Sequence, residues 1–203
     1  MAAKEKLKRV ENMESVPEKL SAKEQILQTA TRLFYKYGFR AVGIDTIIAE
    51  SGVAKMTLYK HFPSKDDLIV AYLERSNESF WNWLEETLKP FKDNPKRQLE
   101  VIFEGVAKLA SSPQCMGCTF TGAAGEFPSL EHIGHAAALS HKKQVLAKLS
   151  ELAKAARLRQ PQALAEQLLM LMDGAWNAAR MFGPGNHAGQ VAAAAKTLIA
   201  ASS

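Results

Sequence analysis

"GVAKMTLYKHFPSK", residues 52–65, threads cations and hydroxyls between a few apolar anchors. Read as a short helix over 55–61 at about 100° per residue, it places Leu58 and Phe62 about 40° apart on one side. Met56 and Lys60 lie roughly opposite, with Lys55, Thr57 and Tyr59 on the shoulders. Gly52 suits the left-handed turn that a side chain resists. Just before it, Ile44, Ile47 and Ile48 share one side of another short helix, about 45–51. Two short helices joined at a glycine, the second rich in donors, predict a helix-turn-helix. An outward face of cations, hydroxyls and one apolar contact suits the edges and phosphates of a major groove. Lys65, opening the next helix beside free N–H groups, stands where a phosphate is favoured.

Charge points the same way. The 203-residue chain carries a net +5. Residues 1–65 hold 12 basic and 7 acidic residues, whereas 66–203 hold 14 of each. Residues 21–65 alone contain seven basic and three acidic residues, so the excess does not come from the terminal arm. A basic head on a neutral body implies a polyanionic partner for the head.

Working outward, residues 1–20 read as a mobile arm, 21–66 as the head and 67–203 as a helical body. Ser21 and Glu24 fit a capping box, and apolar positions from Ile26 to Tyr37 repeat at helical spacing up to Gly38. Ser64 and Asp67 cap a fourth helix that runs toward Pro90. Pro95 opens a fifth, ending before Pro113. A short segment at about 119–125, a long helix at about 129–157, another from Pro161 to Phe182, and an alanine-rich helix from about 187 complete an all-α fold. No segment reads as a strand or an internal repeat. No apolar run is long enough to span a membrane, and the charged N-terminus is unlike a signal peptide, so the cytoplasm is the expected compartment.

The residues from "ILQTATRLFYKYGFRAVGIDTIIAESGVAKMTLYKHFPSKDDLIVAYL" resemble the N-terminal DNA-binding domain of the TetR family of transcriptional regulators. They match its F-x-x-x-G helix end, its I-A second helix and its G-V-x-x-x-T-L-Y-x-H-F-x-S-K reader, from Ile26 to Leu73. The last two helices are also similar to those of many members, whereas about 74–160 are similar only in helical layout. The resemblance implies a dimer on double-stranded operator DNA. Lys55, Met56 and Tyr59 would face bases, Thr57, Tyr59, His61 and Lys65 would hold phosphate, Thr46 would approach the backbone, and Lys60 would add charge. Ala54 departs from the usual Ser or Thr, removing a helix cap. Met56 departs from a common Gly.

A regulator of this kind also implies a sensing site in the body and a homodimer. The aromatic, sulfur-bearing and apolar candidates for an apolar effector are Trp81, Trp83, Phe103, Cys118, Phe120, Phe127, Met170 and Trp176. The alanine- and leucine-rich last helices offer Leu168, Leu171, Ala175, Ala178, Ala194 and Leu198 for the dimer contact, by resemblance a four-helix bundle. Two alternatives use "CMGCTF": a redox pair of Cys115 and Cys118, or zinc held by both with His132 and His135, although H-x2-H is tight for a finger. A small all-α enzyme would have to use Cys118 with His132 or His135, and no third group is evident. Repression without a cofactor, a metal or catalysis is therefore the leading expectation.

Overall fold

A computed structural model describes residues 20–203, so the expected mobile arm lies almost wholly outside the described residues. Nine α-helices occur among the described residues, and no strand. They are α1 (Ala22–Tyr37), α2 (Ile44–Ser51), α3 (Lys55–His61), α4 (Lys65–Leu88), α5 (Pro95–Ala110), α6 (Thr119–Glu126), α7 (Ile133–Ala155), α8 (Pro161–Phe182) and α9 (Val191–Ala201). Short 3-10 turns follow α4 and precede α9.

The punctuation of the sequence accounts for most of these boundaries. Ser64 and Asp67 form a complete reciprocal box: the Ser64 hydroxyl accepts from the Asp67 N–H at 3.1 Å, and the Asp67 carboxylate accepts from the Ser64 N–H at 2.9 Å. The box expected at Ser21 is only half made. Ser21 accepts from the Glu24 N–H at 3.2 Å, but the Glu24 carboxylate turns away to Arg75 on α4. A cross-helix ion pair has replaced a local bond.

The long helix expected from 129 begins at 133 instead. His132 caps it, its Nδ1 accepting from the Gly134 N–H at 3.1 Å while its ring lies flat on Phe127. The stacking holds residues 127–132 in an irregular turn that helical periodicity cannot foresee.

Two apolar clusters build the interior. In the body, Leu99, Ile102, Phe103 and Val106 of α5 meet Leu149 and Leu152 of α7, Leu164, Leu168 and Met172 of α8, and Ala195 and Ile199 of α9. The second cluster gathers Ile26, Leu33, Phe34, Ile47, Leu58 and Phe62 around α1 to α3. It continues through Leu68, Ile69, Tyr72 and Leu73 of α4 and takes in Phe120, Ala123 and Phe127. The boundary expected at 66 therefore falls inside a continuous core. Phe39 joins the parts, with ring centroids 5.3 Å from Phe34, 5.7 Å from Tyr72 and 5.5 Å from Phe127. Each such pair contributes about 0.5–1.5 kcal/mol beyond the area it buries.

Candidate nucleic-acid interface and effector cavity

α3 is held by very little. Leu58 is fully buried and Phe62, at the C-cap, nearly so, while Met56 is 85% exposed. Lys55, Lys60 and His61 are exposed with it, as is Tyr59, and Thr57 is half-buried. The angular reading of this helix is thus the observed one. Gly52 takes φ 68°, ψ 12°, the left-handed turn between α2 and α3. No side chain caps α3 at Ala54, so its first N–H groups lack a local side-chain acceptor. Thr46 is exposed on α2, and Lys55 Nζ lies 3.6 Å from Asp45 Oδ1 on the same helix, which tethers the reader's first residue to its neighbour.

Lys65, expected to hold phosphate, is less open than the cations of α3. It is half-buried at the first turn of α4. Desolvation lowers its pKa, opposed by the nearby charges of Glu126 and Asp66. Its ammonium therefore belongs partly to the seam between head and body.

Glu126, at the end of α6, makes that seam. Its carboxylate accepts from the backbone N–H groups of Phe39 at 3.0 Å and Arg40 at 2.7 Å. Gly38 lies against it at φ 85°, and a Cβ there would sit 2.5 Å from Glu126 Oε1. A second tie runs from α1 to the Cys115–Cys118 strip: the Tyr35 hydroxyl accepts from the Met116 N–H at 2.8 Å. Burial raises the Tyr35 pKa, so it stays a neutral phenol. Tyr72, bonded to Thr119 Oγ1 at 2.7 Å, is pushed up to about 12, chiefly by burial.

Above this seam a cavity of about 550 Å³ opens between α1, α4, α5, α6, α7 and α8. Its walls are Phe80, Trp83, Phe120, Met172 and Trp176, with Cys118 and Thr119 at the start of α6. Thr31, Arg32 and Tyr35 of α1 reach it from the head. Of the effector candidates, Trp83, Cys118, Phe120 and Trp176 line this space. Phe103 is locked in the body core, and Phe127 is packed on Phe39 and His132. Trp81 borders a different groove. Met170 is 66% exposed on the outer face of α8. Those four lie outside this cavity, and they share a cause: helical spacing shows that a residue is apolar, not which of two apolar environments it faces.

The sequence reading missed Tyr35, Tyr72, Phe80, His141, Lys142 and Met172. His141 carried the clearest signal, an imidazole on the apolar side of a long helix between Ala138 and Val145. It is buried, and its pKa is lowered to about 4 by desolvation first and by the charge of Lys142 second.

The dimer candidates also divide. Leu168, Ala175 and Ala178 turn into the protomer's own core, and Leu171, Ala194 and Leu198 are half-buried. The open side of α8 carries Met170, Met181 and Phe182 instead.

Cys115 and Cys118 are free, half-buried thiols. His132 Nδ1 is taken by Gly134, and His135 Nδ1 lies 2.7 Å from the Phe127 carbonyl oxygen. Among the described residues no group of three or more His, Cys, Asp or Glu side chains could hold a metal ion. No described helix is long and apolar enough to cross a membrane.

Residues 26–72 match the pattern of "Bacterial regulatory proteins, tetR family". An HTH-type transcriptional regulator of Bacillus subtilis, YerO, is 40% identical over 88 residues, 40% of this chain and 30% of the relative. The HTH-type transcriptional activator FasR of Mycolicibacterium smegmatis is 36% identical over 73 residues, covering 36% and 33%. The chain thus spans about a third of the length of these two curated relatives. Solved structures extend the likeness to the body. A TetR-type transcriptional regulator from Streptomyces avermitilis superposes with TM-score 0.79 at 28% identity, over 90% of this chain and 98% of that one. A TetR-family transcriptional regulator from Streptomyces coelicolor does so with TM-score 0.75 at 31% identity, over 89% and 93%. At that identity and coverage, the chain belongs to the TetR family of transcriptional regulators.

Proposed function

We propose that the protein is a homodimeric, sequence-specific DNA-binding regulator that represses transcription in the cytoplasm and leaves its operator when a small, largely apolar effector fills the cavity. The observation that carries this reading is the face of α3, where Met56 stands 85% exposed among Lys55, Tyr59, Lys60 and His61 over a helix anchored by Leu58 and Phe62. A folded protein rarely presents a methionine, a tyrosine and three basic side chains together without a partner, and duplex DNA takes all three types. Lys55, Met56 and Tyr59 are assigned to base edges, and Thr46, Thr57, Lys60 and His61 to the backbone, with Lys65 a lesser contributor because of its burial.

Two recognition helices on one duplex require a dimer with a two-fold axis. Met170, Met181 and Phe182 on the open side of α8, with Leu171, Ala194 and Leu198 beside them, supply an apolar surface for it. Release follows from the walls of the cavity: Thr31, Arg32 and Tyr35 belong to α1, so an occupant bears directly on the head. A ligand that binds one head position better shifts the population toward it. A mobility-shift assay on DNA flanking the protein's own gene, with excess random competitor, tests the reading. Specific retention is expected; retention erased equally by random DNA would make the protein a non-specific binder. A promoter fusion in cells with and without the gene gives the sign, higher output in its absence being the expected result.

A further inference from the structure

His141 stands at the one place in the cavity wall where the protonation of a nitrogen can be deduced from its neighbours. Asn77 accepts through Oδ1 from the Trp81 Nε1–H at 3.0 Å, and an indole nitrogen can only donate, so the amide oxygen is fixed in that position. The same Oδ1 lies 2.7 Å from His141 Nδ1, which must then carry the hydrogen. Nε2 is left as a bare acceptor. It makes no hydrogen bond within the protein, yet no sealed side-chain nitrogen or oxygen among the described residues lacks a partner. Since His141 lines the cavity, Nε2 opens into it. The ring cannot turn away, because Phe120 is stacked on it at 3.7 Å and Phe80 meets it edge-on at 4.9 Å. The strong lowering of its pKa by burial keeps this acceptor bare at neutral pH.

Charge narrows the occupant further. No carboxylate lines the cavity, so a cation finds no counter-charge there. The three lining cations are each paired already: Arg32 with Glu50, Arg75 with Glu24, and Lys142 with Asp173. An anion would meet cations whose charge a carboxylate already compensates. The space of about 550 Å³ lies within the roughly 300–1,000 Å³ range typical of small-molecule sites.

We infer that the cavity takes a neutral, planar aromatic compound bearing a hydroxyl or N–H donor, a phenol being the simplest case. The donor rests on His141 Nε2 and the ring system lies among Phe80, Trp83, Phe120 and Trp176. The inference rests on the cavity being the effector site, and it adds the chemical class of that effector.

The test is calorimetric titration of the full chain at pH 7 with three probes of one ring system: 2-naphthol, 2-methoxynaphthalene and 2-naphthoate. The first can donate, the second has the same shape without the donor, and the third is an anion. The expected order is 2-naphthol tightest, by about five- to tenfold over its methyl ether as one added hydrogen bond implies, with 2-naphthoate weakest. His141→Phe should bring naphthol and ether to equal affinity. Should that variant fail to fold, ¹⁵N spectra of the wild-type imidazoles answer the same question. One unprotonated nitrogen at neutral pH, shifting upfield when 2-naphthol is added, is expected; a doubly protonated ring or an unmoved resonance would overturn the proposal. Equal affinity of naphthol and ether in the wild type would also overturn it, as would tighter binding of naphthoate, or no binding of any probe. No DNA enters these titrations, so their failure leaves the DNA-binding reading standing, and loss of retention in the mobility shift leaves them unaffected.

Discussion

Gly38 carries two constraints at once. Its φ of 85° with ψ 170° lies in a region that side chains rarely adopt, and a Cβ would meet the Glu126 carboxylate at 2.5 Å. Gly38→Ala should destabilise the fold by about 1–3 kcal/mol, read as a lower urea midpoint at an unchanged slope. His141 makes a prediction in pH. Its pKa falls from an ordinary 6.5 to about 4 in the folded protein, so the unfolded chain takes up the proton first as pH drops. The contribution is fully present above about pH 6.5, declines between 6.5 and 4, and amounts to roughly 3 kcal/mol. His141→Phe should flatten that part of the stability profile, measured by urea melts at several pH values. The sequence announced Gly38 as a helix end but could not show its second constraint, which comes from a residue 88 positions away. His141 likewise shows in the sequence as an imidazole on an apolar helix face, but its role depends on Asn77 and Phe120 arriving from other helices.

At the scale of the element, α3 was legible because its information is local. Seven residues, two anchors and one preceding glycine determine which way every side chain points. Ala54 gives the corresponding prediction: it sits in extended geometry at the N-cap with no side-chain bond to offer. Ala54→Ser should add about 0.5–1 kcal/mol of stability, detectable as a higher urea midpoint, and should leave the exposed face of α3 unchanged. α8 was less legible. Its apolar residues cover most of its circumference, so spacing could not separate the core side, with Leu168, Ala175 and Ala178, from the open side, with Met170 and Met181. If the open side is the dimer contact, the double substitution of Met170 and Met181 to Glu should convert dimer to monomer in light scattering. A dimer that survived it would place the contact elsewhere.

Across the whole molecule, the fold class and the order of helices were readable, because caps, prolines and apolar periodicity are properties of neighbouring residues. The cavity was not, because six helices contribute to it and three of its residues belong to the head. The same geometry explains how a body effector could reach a reader that it never touches. The cavity lies against α1, and α6 runs from Cys118 and Phe120 at the cavity to Glu126 at the Phe39 and Arg40 N–H groups. Glu126→Gln keeps the shape but leaves a single oxygen to accept, so one of the two N–H groups loses its acceptor and the other bond loses its charge. It should cost about 1–2 kcal/mol of stability and weaken the effect of any cavity ligand on DNA affinity, measured by titrating DNA with and without that ligand.

The central claim is that the exposed face of α3 reads DNA, and the most direct measurement is operator affinity across a salt series for wild type and Lys60→Ala. Lys60 is exposed and has no carboxylate partner among the described residues. The expected result is retention that survives random competitor, with a slope of log affinity against log salt lowered by about one unit in the variant. Identical slopes and affinities for the two proteins, or no retention of any DNA by the wild type, would contradict it.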